Sequence, residues 1–316
     1  VSRLRIGLLT NPSAAHGAAQ RVGRQVAHLL RIAGISVVEL TATSAAVARA
    51  RAMEVRETLT ALVVVGGDGT VALGAQIVAE SAVRLGVVPA GSGNDFARAL
   101  GLDETDVDHA VRSMLQALSR PVVEIDAIEL RSGIDGDPTG SARTIALGNV
   151  SLGFDALVNA RANDSRLAPR VRYTGAVARE LRAFRPLKYW IEVDGGPRED
   201  IDASLLTLCN TGVFGGGMRL VPDARVDDGQ LDLAIVSGLG RAGLVRFFPR
   251  VYRGTHTSLP VFTTRRVREI RVGLRESALL RAYADGEPQS QLPVRARVLP
   301  GAVRILADVQ QPEVTA

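Results

Sequence analysis

At 316 residues the chain is longer than one compact core usually takes, so two domains are expected, with enough material to bury both. Hydrophobic residues make up 46% and charged residues 22%, the balance of a folded protein, and no apolar run approaches the ~20 residues that a membrane-spanning helix needs. The net charge of +5 rests almost wholly on arginine, Lys188 being the single lysine; aromatics, at 4%, do not interleave with the basic clusters, so a stacking platform for nucleic acid is unsupported while anionic lipid and phosphorylated substrates stay open.

The first ten residues alternate in polarity, and no secretory leader is expected there. From Arg3 to about Leu130, short strand-like runs alternate with helical ones: Leu4–Leu9, then Ala18–Ala33, Ile35–Leu40, Ser44–Leu59 and Leu62–Val65. That rhythm predicts βαβ units on a parallel sheet, with Gly34 ending the first helix and Ser44 capping the next. After Pro121 the texture changes. Val122–Leu130, Thr144–Leu147, Leu187–Val193, Ser204–Leu208, Leu231–Val236, Val267–Val272 and Leu279–Tyr283 read as strands, many of them separated by Gly, Asp and Pro turn signals. Two helices are expected among them, near Tyr173–Phe184 and Ala242–Tyr252, with Arg131–Ala142 as a polar loop. Cys209 is the only cysteine, which rules out an internal disulfide and fits a reducing compartment.

Two glycine-rich segments carry the chemistry. Ala61–Val65 reads as a buried parallel strand, and such sheets bind ligands at the carboxyl ends of their strands, where Gly66, Gly67 and Asp68 stand. Glycines let backbone N–H groups approach phosphate oxygens, and a helix expected from about Val71 adds its positive end. Asp68 beside a phosphate then calls for a divalent cation between them, as in a Mg²⁺-nucleotide; the plainer reading makes Asp68 a helix cap. No G-K-[ST] follows, so this is not the lysine-bearing P-loop. In the second segment, the strand Leu85–Val88 runs into Gly91-Ser92-Gly93 and then Asn94 and Asp95 at a helix start. Side by side, the two loops would cradle phosphates.

These motifs, Gly66-Gly67-Asp68-Gly69-Thr70 and Pro89 through Arg98, resemble those of the diacylglycerol kinase catalytic-domain family, which also holds bacterial lipid kinases, sphingosine kinases and ceramide kinases. The likeness extends to Asn11-Pro12-Ser13 after the first strand and to three later stretches: Asn149–Ala156, Gly212–Leu233 and Asp285–Pro288. It implies a Rossmann-like α/β domain, similar to phosphofructokinase and NAD kinase, over 1–123. A β-sandwich domain over 124–286 would follow, and a tail over 287–316 would return to the first domain. ATP would lie between the domains.

Asn11, Thr43, Gly67–Thr70 and Ser92 match the family's nucleotide-contacting positions, and Pro12, Ser13, Gly66, Asn94 and Asp95 fall in the same loops. A structural Mg²⁺ would take the Asp228 side chain and the carbonyls of Arg225 and Gln230, where residues alone suggest a tight turn. Phosphoryl transfer to a lipid hydroxyl needs a carboxylate base and a cation on the phosphates. The resemblance favours Glu287 as base, with Asp285 beside it and Asp68 positioning Mg-ATP; Asp68 as base is the rival assignment. Asp285-Gly286 is also a strong two-residue hairpin signal.

Val71 is followed by Ala72 and Leu73 where many relatives carry Asn-Glu, a change that could alter substrate preference. An NAD kinase-like enzyme and a nucleotide-binding regulator without catalysis are the alternatives. The expected partner is a lipid substrate at a membrane surface met from the cytoplasm by reversible peripheral association, with no nucleic acid and room for a homodimer. Thr263–Val272, TTRRVREIRV, is a candidate membrane contact or a charged edge strand.

Overall fold

A computed structural model describes residues 4–12, 17–42, 44–102, 106–133, 143–153, 156, 185–276 and 279–307. The expected helix at Tyr173–Phe184, and Arg131–Ala142 beyond residue 133, lie outside the described residues. The chain divides into two compact units, Val1–Ile125 with Gly301–Ala316, and Asp126–Pro300.

In the first unit β1 (Arg5–Thr10), β2 (Ser36–Glu39), β3 (Ala61–Gly66) and β4 (Arg84–Pro89) form a parallel sheet in the order β2-β1-β3-β4. Its helices are α1 (Ala18–Ile32), α2 (Ala45–Val55), α3 (Asp68–Val78), α4 (Asp95–Ala99) and α5 (Val107–Leu118). Every residue of β3 is buried because both of its faces are covered. Ala61, Val63 and Val65 share a core with Val26 and Leu30 of α1 and Val111 and Met114 of α5. On the other face α3 approaches so closely that a Cβ on Gly74 would meet Val64 Cγ1 at 2.6 Å. This two-sided burial is why the strand reads as an unbroken apolar run; each buried valine contributes about 1.5–3 kcal/mol before entropy is subtracted.

Ser44 caps α2 through a bond from Val47 N–H to its Oγ at 3.3 Å, and Gly34 follows α1 at φ 77°, both as expected. The helix expected to reach Leu59 instead ends at Val55 and tightens into a 3₁₀ turn over Arg56–Thr58, where the Thr58 hydroxyl donates to Val55 O at 2.6 Å. The third helix starts at Asp68 rather than near Val71, since the N–H groups of Thr70 and Val71 both reach Gly67 O.

The second unit is a sandwich of two sheets. Its elements are, in order, β5 (Val123–Ser132), β6 (Arg143–Ala146), β7 (Asn149–Ser151), β8 (Leu187–Val193), β9 (Glu199–Ala203), β10 (Leu205–Cys209), β11 (Val213–Phe214) and β12 (Met218–Arg219). There follow β13 (Leu231–Val236), α6 (Arg241–Arg253), β14 (Phe262–Val267), β15 (Glu269–Leu274), β16 (Arg281–Ala284), β17 (Glu287–Gln291) and β18 (Val294–Ile305); β5 belongs to this unit from Asp126 and β18 up to Pro300. One sheet runs β18-β15-β8-β9, with β5 paired to β18 and β6 to β5; the other runs β14-β13-β10-β7-β16-β17. Ile128, Tyr189, Ile270, Val272 and Ala296 of the first sheet meet Val150, Leu206, Leu208, Leu233 and Ala282 of the second. Leu205, Cys209 and Val236 point the other way, beneath Phe247 and Val251 of α6.

The strand expected at Val267–Val272 is two strands in different sheets: Val267 pairs with Leu231, and Glu269 with Arg297. The corner is held by Asp194 Oδ1, which accepts the N–H groups of Arg268 and Glu269, both at 2.8 Å.

Glu129 on β5 is 2% exposed and binds three arginines, with Arg131 Nε at 3.0 Å, Arg297 Nε at 2.8 Å and Arg143 Nε closer still. Burial alone would raise its pKa, but hydrogen bonds from Arg131, Arg143 and Arg297 outweigh it and hold the carboxyl at about 2. A depressed carboxyl contributes stability that is present above its ordinary value of 4.5 and is lost as pH falls towards 2. After a discount for the half-exposed arginines, the loss should be roughly 1–3 kcal/mol. Urea unfolding from pH 5 to pH 2.5 should therefore slope more steeply for the native chain than for Glu129→Gln.

Candidate functional site

The carboxyl ends of β3 and β4 lie side by side, Gly66 opposite Pro89, with Ala90 N–H donating to Gly66 O at 2.8 Å. The loops that follow are in backbone contact. A Cβ on Gly91 would press into Gly67 Cα while lying 2.9 Å from Gly67 N and 2.8 Å from Asn94 Oδ1, and a Cβ on Gly67 would sit 3.1 Å from Gly91 Cα. The two glycines are thus required by close approach. Gly66 has a related task, for its Cα lies against the buried Thr70 side chain.

Asn94 sits at the N-cap position of α4 with φ 55°, yet its side chain closes the preceding loop instead of capping the helix. Its Oδ1 accepts from Gly91 N–H at 3.0 Å and its Nδ2 donates to Gly91 O at 3.2 Å. Asp68 is the first residue of α3, and its Oδ1 accepts from Phe96 N–H at 3.2 Å. The carboxylate therefore ties the first loop to the second; a Cβ on Gly93 would come within 2.7 Å of its Oδ2. Asp68 does act as a helix cap, on α4 rather than on its own helix. Asp95 pairs with Arg98 at 3.2 Å.

Among the described residues, the N–H groups of Gly69, Ser92 and Gly93 have no protein acceptor, and Gly69 and Ser92 are exposed. Backbone donors without an acceptor at a helix start, with a carboxylate alongside, suit phosphate oxygens together with a bridging cation. Asn11 and Pro12 follow β1, and Asn11 N–H donates to Val65 O at 3.2 Å, which sets their loop next to the end of β3. Ser13 and Thr43 lie outside the described residues. Val71 and Ala72, at 4% and 5% exposure, belong to the buried side of α3, while Leu73 is half-buried.

In the second unit, Ala284 pairs with Glu287 across a two-residue turn in which Asp285 and Gly286 have φ 48° and 81°. This is the expected hairpin, of the type with both central residues left-handed. The Asp285 carboxylate accepts three backbone N–H groups: Leu147 at 2.8 Å, Gly148 at 2.8 Å and Asn149 at 3.0 Å. Burial pushes its pKa up, and those donors oppose the shift. Both oxygens are thereby committed to holding the β6–β7 connection. Glu287 is exposed. Asn210, another buried tie that sequence reasoning missed, donates its Nδ2 to the carbonyls of Asp126 at 2.9 Å and Leu147 at 2.8 Å.

The expected metal loop is a tight turn into β13. Asp228 Oδ1 accepts Gln230 N–H at 3.1 Å, Oδ2 is ion-paired with Arg266 Nη2, and Arg225 pairs with Asp227 at 3.4 Å. Gly229, at φ 69°, donates its N–H to Asp126 Oδ2 at 2.7 Å. Oxygen donors suit a hard cation, but Arg266 already supplies the positive charge that Asp228 requires, so this arrangement does not fit a resident metal. No cluster of three or more His, Cys, Asp or Glu side chains suited to a metal occurs among the described residues.

The family described as diacylglycerol kinase catalytic domain matches residues 5–127, and that described as YegS C-terminal NAD kinase beta sandwich-like domain matches residues 148–307. A diacylglycerol kinase of Mycobacterium tuberculosis (strain ATCC 25618 / H37Rv) is 33% identical over 304 residues, covering 96% of this chain and 94% of its own. A diacylglycerol kinase of Bacillus subtilis (strain 168) is 28% identical over 235 residues, covering 73% and 72%. Among solved structures, a diacylglycerol kinase from Bacillus anthracis str. Sterne superposes with a TM-score of 0.69 at 18% identity, covering 98% of both chains. Yeast NADH kinase complexed with NADH gives 0.54 at 12% identity, covering 96% of this chain and 82% of its own. At such identities the two structures show a shared fold, mixed α/β with a carboxyl-terminal β-sandwich.

Proposed function

Because the chain belongs to the diacylglycerol kinase catalytic-domain family of lipid kinases, we propose that it transfers the γ-phosphoryl group of Mg-ATP to the hydroxyl of a lipid of the diacylglycerol class. The supporting observation is the backbone contact between Gly67 and Gly91, which brings the free N–H groups of Gly69, Ser92 and Gly93 to one sheet edge. Donors fixed before the substrate arrives need no reorganisation when charge builds on the transferring group, and that accounts for most of the catalysis in phosphoryl transfer. Mg²⁺ enters with ATP as part of the substrate.

Asp68 then has two tasks. One oxygen holds the second loop through Phe96 N–H, and the charge of the carboxylate attracts the nucleotide's Mg²⁺. Glu287 serves as the base that takes the lipid hydroxyl proton, being an exposed carboxylate next to one whose oxygens are already spent. No described helix is long and apolar enough to cross a membrane. A peripheral encounter with the lipid is therefore part of the proposal.

The test is transfer of radiolabelled phosphate from Mg-ATP to diacylglycerol, monoacylglycerol, ceramide, sphingosine, phosphatidylglycerol and NAD. Label is expected in an acylglycerol. Label in NAD alone would favour an NAD kinase, and none in any acceptor a nucleotide-binding regulator. Asp68→Asn keeps the acceptor for Phe96 and removes the charge. It should leave the unfolding temperature unchanged and slow transfer by about a hundredfold or more.

A further inference from the structure

We propose that the outer face of α6 is a docking surface for an anionic phospholipid bilayer, an inference that rests on the lipid-kinase reading for its purpose but not for its evidence. Within Arg241–Arg253, RAGLVRFFPRVYR, there are four arginines and no acidic residue. Leu244, Phe247 and Val251 are buried against the second sheet and fix which side faces inward. The opposite side carries large apolar groups that a helix packed on a core has no reason to expose: Val245 is 56% exposed and Tyr252 46%. Pro249, also exposed, stands between them. At helical spacing, residues 245, 249 and 252 make one continuous ridge.

Arginines flank that ridge. Arg246, Arg250 and Arg253 are exposed, and none has an ion-pair partner among the described residues. Arg219 adds a further exposed cation at the carboxyl end, where a Cβ on Gly254 would lie 3.8 Å from its Cδ. An apolar ridge bordered by uncompensated guanidinium groups matches the boundary between acyl chains and phosphate headgroups, with the ridge entering and the arginines reaching phosphate oxygens.

Two other basic surfaces lack this combination. Along TTRRVREIRV, the two strands β14 and β15, Arg265 pairs with Glu199 at 2.8 Å, Arg266 with Asp228, and Arg271 with Glu192 at 3.8 Å, so the charges there are largely spent. Helix α1 has Arg21, Arg24 and Arg31 and no acidic residue, but Ile32 at its last position is its only strongly exposed large apolar side chain.

Flotation of the full chain with vesicles of phosphatidylcholine, with and without phosphatidylglycerol, tests the proposal. Binding should require phosphatidylglycerol. Arg246→Ala with Arg250→Ala and Arg253→Ala should weaken it about a hundredfold, and Val245→Ser with Tyr252→Ser about tenfold, with thermal unfolding of each variant checking that the fold is retained. Turnover of a short-chain diacylglycerol dispersed in water should be the same in native chain and variants. The proposal is overturned if the triple variant binds phosphatidylglycerol vesicles within twofold of the native chain, or if the variants change the sedimentation coefficient instead, which would put a second copy on this face. A native chain that binds vesicles through α6 yet phosphorylates no lipid would sink the kinase reading and leave the docking surface standing.

Discussion

Replacing Gly91 by alanine should raise the dissociation constant of Mg-ATP about a hundredfold or more and lower the stability of the first unit by about 1–3 kcal/mol. The cause is steric and local. The new methyl would be pushed into Gly67 Cα and would stand 2.9 Å from Gly67 N, and both are backbone atoms that no rotamer change can move aside. One loop must give way, which separates the N–H groups proposed to hold the phosphates. A displacement of about 1 Å in a positioned site costs roughly a hundredfold. Gly216→Ala is the control. Its φ of 82° makes alanine strained, but a Cβ there meets nothing within 4 Å, so it should cost stability without touching nucleotide affinity. Calorimetric titration with a non-hydrolysable ATP analogue, beside thermal unfolding, separates the two effects. An affinity for Gly91→Ala within twofold of the native chain would mean that the phosphates bind elsewhere.

The contrast also shows which structural features are legible in the sequence. The parallel sheet is legible because burial on both faces leaves a local trace, the unbroken run of β3, and because turn glycines and Ser44 act on neighbours a few residues away. Both glycine loops could be found for the same reason. The partner of each site side chain could not. Asp68 reaches an N–H group 28 positions on, Asp285 reaches three N–H groups more than 130 positions back, and Asp194 turns a corner 74 positions ahead. Nothing in local periodicity encodes such pairs, so a carboxylate next to glycine reads as chemistry whether or not it carries any. The metal loop illustrates the same limit: Arg266 lies 38 residues from Asp228, and only the fold reveals that it meets the charge. β18 is legible only in part: its Val294–Val298 segment alternates apolar and arginine, but Pro300-Gly301 is a break signal inside what is a continuous strand.

Asp285 and Glu287, two residues apart and both acidic, should respond in opposite ways to substitution. In Asp285→Ala the N–H groups of Leu147, Gly148 and Asn149 lose their acceptor in a site from which water is largely excluded. An unsatisfied buried donor costs about 1–3 kcal/mol, so the three together should remove at least about 3 kcal/mol, enough to unfold a marginal domain. Asp285→Asn should rescue only part of this, since an amide has one oxygen to offer and its NH₂ would face an N–H group. Asparagine does tolerate the left-handed backbone at φ 48°, so the residual loss can be assigned to the lost acceptor. Glu287→Gln should do the reverse. The side chain is exposed, so the urea midpoint should not move, whereas kcat should fall by about 10²–10⁴ with ATP affinity unchanged, as expected on removing a general base. Urea unfolding and steady-state kinetics on the three variants give a clear decision. If Asp285→Ala stays folded and loses only kcat while Glu287→Gln remains fully active, the roles given to the two carboxylates must be exchanged, and the hydrogen bonds that occupy Asp285 would have to open during turnover.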